Sequence, residues 1–177
     1  MAELELKKKR KKWYGILASK DFNNVEIGET LASADEVLIG RSLEVNLANL
    51  TNDPKTQNVK IKFKIKEVKG NEAYTEVYNY EMSSTYIKRV VKPGRNKVDD
   101  SIPLTTKDNI KLRIKFIFLT KALVKHSILS NLRKTAREFL QEYCKKNDYS
   151  KLIQDLVSHH IQNDLKRLKK LSINLYD

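Results

Sequence analysis

His159 and His160 are adjacent, with Asp164 four residues beyond the second, and nowhere else does the chain set two histidines together. Imidazole and carboxylate at that spacing would hold a transition metal if all three shared one helix face. Adjacent helix positions diverge by about 100°, so the two histidines cannot aim at one ion as an i, i+4 pair does. His160 and Asp164 can share a face, and a capped or solvated pair accounts for them. His126 is isolated. Asp99 and Asp100 point to opposite sides of an extended chain and would not share a proton. Cys144 stands beside Lys145 and Lys146, which favour a thiolate, but no motif supplies a base, and a small apolar filler is the better reading. Five glycines form neither G-x-x-x-x-G-K-[ST] nor G-x-G-x-x-G. No catalytic residue, metal, cofactor or small-molecule substrate is therefore expected.

The chemistry in abundance is cationic. Lys and Arg number 35 against 22 Asp and Glu, a net charge of +13, which points to a polyanionic partner. In VKIKFKIKEVKG, residues 59 to 70, strand geometry puts Val59, Ile61, Phe63 and Ile65 on one face and Lys60, Lys62, Lys64 and Lys66 on the other. IKLRIKF repeats the device, with Lys111, Arg113 and Lys115 opposite Ile110, Leu112, Ile114 and Phe116. Lysine on an edge strand also deters aggregation, which would explain one such row more readily than two. The arm MAELELKKKRKK adds Lys7, Lys8, Lys9, Arg10, Lys11 and Lys12, whose repulsion opposes compaction until an anion binds; a merely solvated tail is the alternative. Lys88, Arg89 and Arg95 follow, then Arg133, Lys134 and Arg137. Such side chains give affinity through phosphate, so engagement of about 8 to 10 would set a log–log salt slope on the order of −6 to −9. Trp13, Tyr14, Tyr74, Tyr78, Tyr80 and Tyr86 are able to stack on unpaired bases. For Trp13, and for Tyr78 and Tyr80 on one strand face, core packing stands equally open.

Strands and helices must position these groups. From Trp13 to about Leu119 the pattern is mostly period two, through VLIGRSLEVNLANL, the lysine strand, AYTEVYNYEM and NIKLRIKFIFL. Asn52-Asp53-Pro54, Gly70-Asn71 and Lys92-Pro93-Gly94 supply reversals and loops. The alternation slips at Glu67 and Val68, which predicts a bulge or strand exit. SSTYIKRVV reads as a short helix. Residues 122 to 145 form an amphipathic helix through Ile128, Leu132, Ala136, Phe139 and Tyr143. A second helical stretch runs from Leu152 to Leu168 with a possible break at Ser158, and LSINLYD turns strand-like. No span of about 20 apolar residues or secretory signal is present, and one cysteine makes no internal disulfide, so a soluble intracellular protein without membrane contact is expected.

KKWYGILASKDFNN, IGETLAS, GRSLEVNLANLTND, KIKFKIKEVKG, TYIKRVV, TTKDNIKLRIKF and the LRK at Leu132 to Lys134 resemble the archaeal and eukaryotic small-subunit ribosomal protein family S-three-A-e. The likeness runs from about Lys11 to Leu171. It implies an α+β fold: a basic arm (1–12), a β-barrel core (13–120) flanked by α-helices, and a C-terminal helical lobe (121–177) packed on the core. It also implies no enzymatic activity and a cytoplasmic place on the small-subunit platform, near the messenger exit and the 3′ end of the rRNA. Implied partners are small-subunit rRNA and neighbouring ribosomal proteins, with mRNA and initiation factors within reach of that site. Trp13, Gly40, Arg41, Lys60, Lys62, Lys64, Lys111 and Arg113 match the family pattern. Where relatives often read T-K-D-G this chain has Asn109, which tolerates the same turn. The chain stops at SINLYD without a basic tail, so contacts made by that tail would be lost or replaced. A free-standing RNA- or DNA-binding regulator is the second reading, and an RNA-modifying enzyme a distant third.

Overall fold

The computed structural model describes residues 10–173 and divides the chain into two packing units, Met1–Val90 and Val91–Asp177. The first holds strands β1 (Lys12–Leu17), β2 (Glu26–Ala32), β3 (Ser42–Asn46), β4 (Val59–Lys69) and β5 (Glu72–Met82), with short helices α1 (Leu47–Thr51) and α2 (Ser84–Val90). The strands form one sheet in the order β2-β1-β5-β4-β3. β4 and β5 are its backbone, an antiparallel hairpin closed by a two-residue turn in which Gly70 takes the left-handed φ of +64°. A side chain there would be strained, which is the service of glycine at this reversal. β1 joins β5 in parallel and β2 antiparallel.

The lysine strand has the expected register. Val59, Ile61, Phe63 and Ile65 are buried while Lys60, Lys64 and Lys66 are exposed and Lys62 is half-buried. Phe63 is fully buried, and its ring meets Phe22 edge-on at 5.7 Å. Tyr14, Ile16, Ala32, Leu38, Ile65 and Ala73 complete the core beneath β1 and β5. A bulge interrupts β4 between Ile65 and Glu67, as the slipped alternation predicts. The stretch VLIGRSLEVNLANL is not one strand. Asn46 caps α1 by accepting from the Ala48 amide at 3.1 Å, and Asn52 ends it at φ 54°.

The expected closed barrel is absent among the described residues: the sheet is open, with β2 and β3 as edges. Where a barrel would join those edges through backbone ladders, the Arg41 guanidinium bridges them, donating to Thr30 Oγ1 at 3.0 Å and to the Leu31 carbonyl at 3.2 Å. Strands β6 (Lys97–Thr105) and β7 (Lys111–Leu119), assigned from sequence to the same core, belong to the second unit and among the described residues pair only with each other. Their apolar face, through Val98, Ile102 and Phe116, is buried.

Among the described residues three helices complete that unit: α3 (His126–Lys146), α4 (Tyr149–Val157) and α5 (His160–Ile173). α3 buries Leu132, Ala136, Leu140 and Cys144, a stripe rotated slightly from the one read in sequence, leaving Phe139 and Tyr143 half-buried. The break at Ser158 is real: His159 adopts φ 59° and separates α4 from α5. Leu171, Ser172 and Ile173 continue the helix rather than becoming strand, and the rest of LSINLYD lies outside the described residues. Asn109 takes φ 60° in the turn before β7, the conformation expected of it. No helix among the described residues is long and apolar enough to cross a membrane.

Candidate nucleic-acid interface

The two cationic rows point outward, but their electrostatic surroundings differ. On β4, Lys60 Nζ lies 2.6 Å from Glu44, and Lys62 sits 3.4 Å from both Glu44 and Glu81. Lys66 pairs with Glu76, and Lys69 with Glu67 at 3.2 Å. Strand pairing causes this: Glu44 faces Lys62 across the β3–β4 ladder, and Glu81 faces Lys60 across β4–β5. The Glu44 carboxyl is held below its usual range, first by the hydrogen bond from Lys60, and the Lys62 and Lys66 ammonium groups are raised by bonds to their carboxylates. Lys64 alone in the row has no carboxylate within ion-pair distance among the described residues. Its ammonium stands 5.7 Å from the centre of the Tyr78 ring.

On β7 the row is unneutralised. Lys111, Arg113 and Lys115 are all exposed, and their cross-strand neighbours on β6 are Thr105, Pro103 and Ser101, none of which carries charge. No ion pair among the described residues involves any of the three. Residues two apart on a strand are about 6.8 Å from each other, so the row presents three evenly spaced cations to whatever lies on this face.

The other expected contacts divide in the same way. Arg10, Lys11 and Lys12 are exposed at the start of β1, whereas Lys7, Lys8 and Lys9 lie outside the described residues. Lys88 and Arg89 are exposed at the end of α2, with Arg89 over the Tyr86 ring at 5.2 Å; Arg95 and Lys134 are exposed as well. Arg137 is engaged with Asp100, Nε to Oδ2 at 2.5 Å, and that contact depresses the Asp100 carboxyl, with Arg133 contributing at longer range. Arg41, whose Nε also donates to the Val37 carbonyl at 3.1 Å, serves its own fold before any ligand.

Among the aromatics, Tyr14 is not available for stacking: it is buried, and its hydroxyl donates to Asp35 at 2.7 Å. Trp13 is no core anchor either, being 60% exposed beside Leu31 on β2. Tyr78 and Tyr80 do not share a face. Phe63 pairs with Val77 and Lys62 with Asn79, so Tyr78 is the extra residue of a second bulge and is 70% exposed, while Tyr80 is half-buried opposite Ile61. Sequence reasoning alone missed this, because AYTEVYNYEM carries no glycine or proline to mark the slip; the only signal was that Val77 and Tyr80, both apolar, stand three apart.

Cys144 is buried, and burial pushes its thiol up rather than down despite the neighbouring lysines. Among the described residues no group of three or more His, Cys, Asp and Glu side chains is arranged to hold a metal ion.

Residues 5–174 match the model of the Ribosomal S3Ae family. The small ribosomal subunit protein eS1 of Nanoarchaeum equitans is 36% identical over 164 residues, covering 92% of this chain and 83% of that protein. Its counterpart in Methanothrix thermoacetophila is 33% identical across 95% of this chain and 75% of its own length. That of Methanopyrus kandleri is 34% identical across 85% and 71%. A family match over nearly the whole sequence, with relatives of this identity and coverage, means that the chain belongs to the Ribosomal S3Ae family.

Proposed function

We propose that this protein is a structural, non-catalytic constituent of the small ribosomal subunit, working in the cytoplasm and holding rRNA mainly through backbone phosphates. The observation that carries the reading is the unpaired row Lys111, Arg113 and Lys115 on an open strand face, in a chain whose relatives are named as small-subunit proteins. Cations without internal partners neutralise phosphate at no cost in broken ion pairs, and phosphate contacts fix register without reading sequence. Arg10, Lys11, Lys12, Lys88 and Arg89 of the first unit, and Arg95 and Lys134 of the second, are further exposed cations for phosphate, and Lys7, Lys8 and Lys9 of the arm are assigned the same role. Lys60, Lys62 and Arg137 contribute less because each already has a carboxylate. The finer placement is the platform near the messenger exit and the 3′ end of the rRNA, with neighbouring ribosomal proteins as partners and mRNA and initiation factors nearby.

Sedimentation tests the proposal. Tagged protein should travel with small subunits through a sucrose gradient and stay with them at moderate salt. A position at the top of the gradient, free of subunits, would overturn it in favour of a free-standing nucleic-acid-binding regulator.

A further inference from the structure

We propose that Tyr78 is a stacking platform for one unpaired nucleotide of an RNA strand, with Lys64 as the group that takes its phosphate. The inference rests on the reading of the chain as an RNA binder and adds a second kind of contact, to a base rather than to backbone alone. At the bulge in β5, Tyr78 and Asn79 both project from the outer face, and Tyr78 is 70% exposed. Its attendant is the Lys64 ammonium, 5.7 Å from the ring centre. Lys60, Lys62 and Lys66 are tied to Glu44, Glu81 and Glu76, so Lys64 is the cation of the row left to follow an incoming anion.

The chemistry around the ring selects the ligand. Its neighbours on the outer face are Lys62, Lys64, Glu76 and Asn79, all polar, which offers little to an apolar side chain of a protein partner. A flat π surface carrying a negative charge meets both the ring and the ammonium. Bases in a duplex have their faces covered by the stack, so the ligand must be unpaired, and since every base has a π face the platform should be tolerant of sequence.

The test uses the full chain, a short labelled oligouridylate and a blunt RNA duplex, with affinity read by fluorescence anisotropy. Tyr78→Ala should weaken binding of the single strand by about tenfold, the range expected for one stacked base, and leave duplex affinity within about twofold. Tyr78→Phe should bind both RNAs as the parent does. Tyr78→Leu, which keeps bulk at the bulge without a π face, should behave as Tyr78→Ala does, so that the loss belongs to stacking and not to folding. Lys64→Gln should lower the single-strand salt slope by about 0.7. The platform is refuted if the parent binds both RNAs and Tyr78→Ala either loses nothing or loses both equally. If the parent binds neither RNA, the reading of the chain as an RNA binder fails, and the platform falls with it.

Discussion

Replacing Lys111, Arg113 and Lys115 together by glutamine should flatten the salt dependence of rRNA binding far more than the same change of charge made on β4. Each phosphate neutralised on a duplex contributes about 0.9 to the log–log slope, so loss of the β7 row should lower the slope by about 2.7. Between 50 and 200 mM salt that amounts to about 40-fold less change in affinity. Lys60→Gln, Lys62→Gln and Lys66→Gln remove three charges as well, but these lysines are held by Glu44, Glu81 and Glu76. For them to engage phosphate the existing pairs must first be broken, so their combined effect on the slope should stay below about 1. The assay is filter binding of a small-subunit rRNA fragment over a salt series. Net charge alone predicts identical slopes for the two triple variants, and finding them identical would refute the distinction between paired and unpaired rows.

Other expectations concern stability. Phe63→Ala should cost about 3 to 5 kcal/mol in urea unfolding, because the ring is fully buried against Phe22; a loss under about 1 kcal/mol would contradict its place at the centre of the first unit. Asn109→Gly should be neutral or stabilising and Asn109→Val destabilising by about 1 to 2 kcal/mol, since φ is 60°; equal melting of the two would show that the turn is not left-handed in solution. The Asp100 carboxyl is depressed chiefly by the Arg137 hydrogen bond, so its contribution to stability is present above the ordinary aspartate value of about 3.9 and lost as pH falls through the lower folded value. Arg137→Gln should therefore be less stable than the parent at neutral pH, with the gap closing on acidification in melts below about pH 4; a constant gap would exclude the pair as its cause. Cys144, buried with a raised thiol, should resist maleimide until the protein unfolds, and rapid labelling of the native state would contradict its burial.

Local pattern carried much of the fold. Strict alternation placed Lys60, Lys62, Lys64 and Lys66 of β4 on the outer side, the slip at Glu67 and Val68 located a bulge, and Ser158 marked the helix break. What local pattern does not contain is which strand lies beside which. The carboxylates that occupy Lys60 and Lys62 arrive from β3 and β5, brought close only by the sheet order, so the two basic rows looked equivalent in sequence while the pairing makes them unlike. The barrel came from the family resemblance, and local pattern could not test it: β6 and β7 alternate as the other strands do, but alternation does not say which strands they pair with. Trp13 and Tyr14 illustrate the limit at one residue's resolution. Adjacent on a strand, they must face apart, and only the register with β2 and the acceptor Asp35 decides that the tyrosine goes inward.

The outward tyrosine of β5 is surplus to the ladder that carries it. Excising that single residue would bring Val77 and Asn79 into direct succession, and both would keep the cross-strand neighbours they have now, Phe63 and Lys62. Most other excisions along the strand would invert the facing of all that follows. A chain shortened by this one position should accordingly fold with its core intact and a straighter hairpin, having surrendered only what it shows to the outside.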